Sequence, residues 1–321
     1  AVTGATEYRV YDNSTGGIVG TATAPTVSLT QSGLSTNVQK NVVVRAYNSN
    51  GEGIASSSAS AYTDAAAPSG LDHTSQTTSA IRWTWTNSGQ SAFYARDANS
   101  VSNNSDWTAN AYWDYSSLLV NTAYAMEVKA RSGDSEETSY SSLTRYTSQN
   151  VPSSLSFSAV GTTTITVAAA GTFTNNGTGS SVVHFDNSAS ATQDVTSGSS
   201  WTNTGLSPNM QYTYTVYATN GDGDQTASIQ SNKYTLANGP GTPSVTTTAA
   251  TTATLTFDIN SNSASTTYYI CRTTDGSACA SSSYVQSTGL FGASAAWRTY
   301  TAWGGASGMT LDGLTPGGNY Q

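Results

Sequence analysis

The feature that most constrains this chain is an internal repeat. Tyr62-Thr63, Tyr146-Thr147 and Tyr234-Thr235 each close a strand-like stretch, and each is followed within a few small residues by a proline: Pro68, Pro152 and Pro240. The three Tyr-Thr pairs fall at nearly even intervals along the chain. Proline is excluded from central strands, so a strand, a short polar run and then Pro reads as the end of one β-unit and the start of the next. A period this long predicts an array of small domains and outranks any local signal.

The register recurs inside each repeat. Leu206-Ser207-Pro208 leads into Tyr212, Tyr214, Val216 and Ala218 in alternation. Leu118 leads in the same way into Tyr124, Met126, Val128 and Ala130, and Leu34 into Val42, Val44 and Ala46. The last repeat carries Leu314-Thr315-Pro316 and then Tyr320. Strands are also predicted at Ile81/Trp83/Trp85, Ile165/Val167/Ala169 and Leu255/Phe257/Ile259. Period-two alternation means one face of each strand enters a core. About seven short strands per repeat, with no helical periodicity, describe an antiparallel β-sandwich.

Composition supports a folded, weakly charged chain. Only 9% of residues are charged, against about 25% in ordinary soluble proteins. The 19 Tyr and 7 Trp supply apolar area that a disordered chain lacks. With 11 Lys and Arg against 19 Asp and Glu, no basic footprint for nucleic acid exists. No apolar run approaches the roughly 18 residues of a membrane span, so no membrane insertion is expected of this segment. The sequence has no initiator Met and no signal peptide, which reads as a mature product or a fragment.

The order of a starting Pro, a Trp-bearing strand and then Leu-x-Pro-x-x-x-Tyr with alternating Val and Ala resembles the fibronectin type III domain. The resemblance covers essentially the whole chain as tandem copies. It implies an all-β fold of tandem immunoglobulin-like sandwiches arranged as a rod, and it says little about function. Four domains are expected: 1–64 without its first strands, 65–148, 149–237, and 238–321 without its last strands. Ala169 and Ile259 are read at the place of the core Trp, and Lys40 at the place of the corner Tyr. The open ends read as a window cut from a longer array; the alternative is that neighbouring subunits complete one another by strand addition.

Candidate sites are few. Trp113 and Trp201 fall at aligned core positions, which leaves Trp107, Trp297, Tyr300 and Trp303 as candidate contact residues for a sugar ring or a protein partner. The last repeat carries an insertion: the stretch from Thr273 to Leu314 is far longer than the aligned stretches from Asp12 to Leu34, Asp97 to Leu118 and Asp186 to Leu206. Long insertions in short-loop folds often carry function. Cys271 and Cys279, flanking an Asp275-Gly276 turn, are expected to form a hairpin disulfide. Asn220, Asp222 and Asp224 place oxygens at alternate positions, as a calcium loop does, but Gln225 and Ser231 stand where such a loop needs Gly and Glu. His184 reads as a half-buried strand residue. No nucleophile, base and orienting group share a motif.

The expectation is a non-enzymatic segment of an extracellular or cell-surface protein without cofactor, working in a filament, sheath or surface layer through self-association or contact with other surface proteins. The alternatives are an adhesin, or a glycan-binding or spacer array attached to a polysaccharide-degrading enzyme.

Overall fold

The computed structural model describes residues 1–273 and 278–320. The chain is all-β apart from two short 3-10 turns, Thr301–Trp303 and Gly305–Ser307. It forms two compact units. One comprises Ala1–Asn150 with the loops Thr178–Ser181 and Asn220–Asp224; the other comprises Val151–Gly177, Val182–Thr219 and Gln225–Gln321.

The first segment is one antiparallel sheet of β1 (Glu7–Asp12), β2 (Ile18–Thr23), β3 (Gln39–Asn48), β4 (Gly51–Glu52) and β5 (Ala59–Tyr62), ordered β2-β1-β3 with β4 and β5 both against β3. The second segment holds β6 (Ser69–Gln76), β7 (Ala80–Thr86), β8 (Ala92–Asp97), β9 (Ser100–Asn104), β10 (Tyr112–Ser116), β11 (Ala123–Arg131) and β12 (Ser141–Tyr146). A three-stranded sheet β10-β7-β6 faces a four-stranded sheet β12-β11-β8-β9. The third segment repeats this with β13 (Ser154–Ser158), β14 (Thr164–Ala170), β15 (Val183–Asn187), β16 (Thr192–Val195), β17 (Ser200–Thr204), β18 (Gln211–Ala218) and β19 (Ile229–Tyr234), ordered β13-β14-β17 and β16-β15-β18-β19. The fourth has β20 (Ser244–Ala249), β21 (Thr252–Thr256), β22 (Thr267–Tyr268), β23 (Tyr284–Val285), β24 (Phe291–Gly292), β25 (Arg298–Thr299) and β26 (Met309–Leu311). Its three-stranded sheet β20-β21-β26 matches those of the second and third segments, while among the described residues its other strands form the pairs β22–β25 and β23–β24.

Alternation sets the cores. Ile81, Trp83 and Trp85 of β7 meet Phe93, Ala95, Met126, Val128 and Ala130 from the facing sheet. In the third segment Tyr214 and Val216 take the places of Met126 and Val128, and all four side chains are essentially without exposure. Burying one such valine contributes roughly 1.5–3 kcal/mol. In the first segment Val44 occupies the position of Val128, because Ala46 pairs with Tyr8 as Ala130 pairs with Phe93. No three-stranded sheet faces it among the described residues, and Val44 is 36% exposed.

Pairing corrects two alignments made from spacing. Trp83 lies opposite Trp113, Val167 opposite Trp201, and Leu255 opposite Met309. Phe257, not Ile259, therefore shares the place of Trp85 and Ala169. In the same way Asn187, not Asp186, matches Asp97. Asp12, Asp97 and Asn187 each accept the amide two positions on, from Ser14, Asn99 and Ala189.

Corner tyrosines recur as expected. The hydroxyls of Tyr124, Tyr212 and Tyr320 accept the amides of Leu119, Ser207 and Thr315 at 2.9, 2.8 and 2.7 Å. Lys40 stands at this place in the first segment. Replacing Tyr212 with Phe removes an acceptor from a partly buried amide and should cost the third segment about 1 kcal/mol in urea denaturation. An unchanged midpoint would show that water replaces the hydroxyl.

Candidate functional site

The most built feature is a polar clasp that recurs at the end of each of the first three segments. Its first element is an asparagine in the left-handed region: Asn37 (φ 52°), Asn121 (φ 45°) and Asn209 (φ 49°). Asparagine tolerates this conformation better than other side chains with a Cβ. A threonine at the same offset in each segment locks the turn. Thr63, Thr147 and Thr235 donate their hydroxyls to the carbonyls of Ser35, Leu119 and Ser207 at 2.7, 2.6 and 2.7 Å.

The asparagine side chains then reach outward. Asn37 Nδ2 donates to the Gly89 carbonyl (2.6 Å) and to Ser91 Oγ (3.1 Å), and its Oδ1 accepts the Gly133 amide (2.8 Å). Asn121 Nδ2 donates to Ser181 Oγ (2.9 Å) and its Oδ1 accepts the Gly221 amide (2.8 Å). Asn209 Nδ2 donates to Thr266 Oγ1 (2.6 Å). The same hydroxyl position is used each time, just ahead of β8, β15 or β22.

In the first two clasps the tyrosine of the Tyr-Thr pair completes the arrangement. The Tyr62 amide donates to Asp134 Oδ2, and the Tyr146 amide to Asp222 Oδ2 (2.7 Å). The Tyr62 ring lies against Gly133 and the Tyr146 ring against Gly221. A Cβ on Gly133 would fall 2.5 Å from the Tyr62 ring, and one on Gly221 would strike Tyr146 in the same way. Glycine is required here by the approach of the ring, since neither residue has a positive φ.

This arrangement accounts for the acidic loop. Asn220 Oδ1 accepts the amides of Asp222 (3.1 Å) and Asp224 (2.8 Å), and Asn220 Nδ2 donates to Asp224 Oδ2 (3.1 Å). Asp224 Oδ2 also accepts from Gln76 Nε2 at 2.6 Å. The alternating oxygens that suggested calcium are thus aimed at amides of the loop and of the second segment. Among the described residues no three His, Cys, Asp or Glu side chains gather as a metal site requires.

The insertion of the fourth segment forms part of its core. Trp303 is 2% exposed and donates Nε1 to the Tyr268 carbonyl at 2.9 Å. As a surface contact residue it is therefore corrected: the extra chain folds inward and its indole packs with Leu255, Val285 and Leu311. Tyr300 lies edge-on to Phe257 at 5.4 Å, also against this core. Trp107 is half-buried beside Tyr94, with the Arg131 guanidinium 4.5 Å from its ring centre. Trp297 alone of the four stays open, 61% exposed and T-shaped to Tyr269 at 4.8 Å. Cys271 and Cys279 form the expected disulfide. The Asp275-Gly276 turn lies outside the described residues.

His184 sits between two carboxylates, with Nδ1 2.5 Å from Asp194 and Nε2 3.1 Å from Asp186, and stacks on Tyr217 at 4.6 Å. Burial pulls its pKa down, but the hydrogen bonds to Asp194 and Asp186 outweigh this and raise it above the usual imidazole value.

No family model matches the chain, and no curated protein sequence matches it. Solved structures that resemble it include a two-domain fibronectin type III segment of chicken tenascin, at 14% identity over 53% of this chain and all of that one, with a TM-score of 0.36. The central fibronectin III array of RIM-binding protein is 15% identical over 60% of this chain and 78% of that one, with a TM-score of 0.23. The FN1-FN3 domains of chicken CNTN1 are 14% identical over 79% and 90%, with a TM-score of 0.27. The strand order of the second and third segments, three strands facing four, is what the structure itself shows of the fold. The fold of these two segments is the two-sheet antiparallel sandwich that fibronectin type III and other immunoglobulin-like domains share.

Two outcomes are expected. Gly133→Ala should force Tyr62 off its seat and speed exchange of the Tyr62 amide by about tenfold or more while the second core melts nearly unchanged; unaltered exchange would show that the clasp yields without cost. For His184, whose folded pKa is raised, stability is fully present below the unfolded value of about 6.5 and is lost as pH rises through the folded value. The third segment should therefore weaken across that window, and His184→Asn should flatten the slope in pH-resolved denaturation.

Proposed function

We propose that the chain is a non-catalytic structural or spacer array, divided near 64, 148 and 237 into four fibronectin type III-like domains. The observation that carries this reading is the recurring clasp of Asn, Tyr and Gly-Asp, which devotes the polar groups of the loops to fixing chain against chain. Many of the charged side chains are likewise engaged with one another: Arg9 with Glu7, Arg82 with Asp114, Arg96 with Glu127, and Lys129 with Glu137. Low charge leaves little repulsion to oppose lateral packing. The disulfide suits an oxidising compartment and supports the reading of an extracellular or surface location. No helix among the described residues is long and apolar enough to cross a membrane.

The finer reading is a subunit of a surface filament, sheath or layer. Light scattering and electron microscopy of the purified chain over rising concentration should reveal regular assemblies. A chain that stays monomeric to millimolar concentration would overturn assembly and leave the spacer role. The exposed pair Trp297 and Tyr269 favours a second reading, stacking on a glycan ring. Glycan-array binding that disappears with Trp297→Ala would support it, and no binding by the unmodified chain would remove it.

A further inference from the structure

Asn13-Ser14-Thr15, Asn103-Asn104-Ser105 and Asn176-Gly177-Thr178 share the pattern Asn-x-Ser/Thr without a central proline. This is the acceptor triplet for N-linked sugar, which joins the carboxamide nitrogen. In a chain so rich in Asn, Ser and Thr the triplet carries little by itself, but the three sites differ in what their side chains already do. Asn103 Nδ2 donates to Ser100 Oγ (3.2 Å) and to Tyr115 Oη (2.9 Å), and Tyr115 donates in turn to Asp97 Oδ2 (2.9 Å). Its hydroxyl partner, Ser105, accepts the Ala95 amide (2.9 Å) and donates to the Asp106 carbonyl (2.8 Å). Asn176 is half-buried and donates Nδ2 to the Val195 carbonyl at 2.9 Å. Beside it, a Cβ on Gly177 would fall 2.8 Å from the Thr196 carbonyl oxygen. A sugar on either nitrogen replaces one N–H and brings bulk to a place where that nitrogen already has a partner, leaving an acceptor short of its bond.

Asn13 stands at the tip of the β1–β2 hairpin, where residues 13–18 are exposed without interruption. The turn is built without its side chain. Asp12 Oδ1 accepts the amides of Ser14 (2.8 Å) and Thr15 (3.1 Å), the Gly16 amide donates to the Asp12 carbonyl (2.8 Å), and Gly16 takes the positive φ of 72° that the turn requires. The Asn13 backbone amide is fixed on the Asn41 carbonyl at 2.8 Å, while its carboxamide makes no hydrogen bond among the described residues. Thr15 Oγ1, two residues on, is exposed and accepts a long bond from the Gly17 amide at 3.3 Å. A Cβ added to Gly16 would meet nothing within 4 Å, so there is open space around the tip. That openness is local to the hairpin: Asp12 and Asn187 open matching turns, and in the complete third segment residues 188–190 are exposed as well.

We propose that Asn13 is a modification site, the acceptor of one N-linked oligosaccharide. Asn13 Nδ2 attacks the anomeric carbon of an oligosaccharide carried on a lipid phosphate. The nitrogen–carbon bond forms as the bond from that carbon to the phosphate oxygen breaks, the lipid phosphate leaves with the electron pair, and Nδ2 gives up one proton to the transferase. The chain supplies the free carboxamide and, two residues on, the Thr15 hydroxyl that completes the acceptor. The proposal rests on the extracellular reading, since such triplets are modified in secreted chains; it does not depend on filament formation.

The test produces the full chain behind a leader that sends it through a eukaryotic secretory pathway, so the compartment is imposed. Peptide mapping by mass spectrometry should find a glycan on Asn13 in most secreted molecules, removable by peptide-N-glycosidase. Asn13→Gln and Thr15→Ala should each abolish it. Thr15→Ser keeps the hydroxyl and should retain the glycan, which separates loss of the acceptor from damage to the turn, and Ser14→Ala should retain it too. A bare Asn13 on a secreted chain whose Cys271–Cys279 bond has closed overturns the proposal and leaves the extracellular reading standing. Glycan on Asn103 or Asn176 to the same extent as on Asn13 also overturns it, because the committed side chains would then have made no difference.

Discussion

The strand behind the corner tyrosine decides whether each segment closes. β11 and β18 are paired along both edges and bury one whole face, so they bring backbone satisfaction and apolar area to the same place. Where they stand, Val128 and Val216 are out of water altogether. In the first segment β3 has the same pairing, but its inner face meets no opposing sheet among the described residues and Val44 remains partly wet. In the fourth, the opposing sheet β20-β21-β26 is present, and no strand equivalent to β11 or β18 occurs among the described residues. The insertion adds Trp303 and Val285, which pack with Tyr268 and Leu255.

A second constraint acts at segment ends. Each clasp combines a left-handed Asn with a buried or half-buried Thr, and the first two add an aromatic ring pressed on a glycine. None of these parts is strong alone, since a net hydrogen bond is worth only about 1 kcal/mol. Their weight comes from the desolvated setting: Asn121 and Asn220 are fully buried, so leaving either unpaired would cost more than the bond contributes. The first segment carries Ser49-Asn50 where the next two carry Gly-Asp, and a serine Cβ does not fit under a tyrosine seated as Tyr62 and Tyr146 are.

The sandwich architecture was legible because alternation and turn chemistry are local properties. Ile81, Trp83 and Trp85 announce a buried strand without help from the rest of the chain, and Leu206-x-Pro-x-x-x-Tyr212 announces the corner. The disulfide was legible because a short span carrying an Asp-Gly pair leaves the chain's two cysteines little choice of partner. The insertion was not, since Trp297, Tyr300 and Trp303 follow no period, and only three-dimensional packing decides which ring turns inward. The clasp was missed for a different reason. Asn37, Asn121 and Asn209 lie in turns, where asparagine is expected for backbone reasons alone, and their outward bonds join residues as far apart as Asn121 and Gly221. The constant interval from each asparagine to its threonine (37 to 63, 121 to 147, 209 to 235) was the available signal. Asn220, Asp222 and Asp224 read ambiguously in the sequence because oxygens spaced to suit a cation also suit backbone amides.

The clasp has a chemical consequence as well as a mechanical one. Asn220 precedes Gly221, the dipeptide most prone to spontaneous deamidation, in which the following amide nitrogen attacks the asparagine side-chain carbonyl and closes a succinimide ring. Here that nitrogen is tied to Asn121 Oδ1, and the carbonyl oxygen is held by two other amides. The nitrogen must leave Asn121 before it can attack, so a sequence that ages quickly in a free peptide should age more slowly inside this loop.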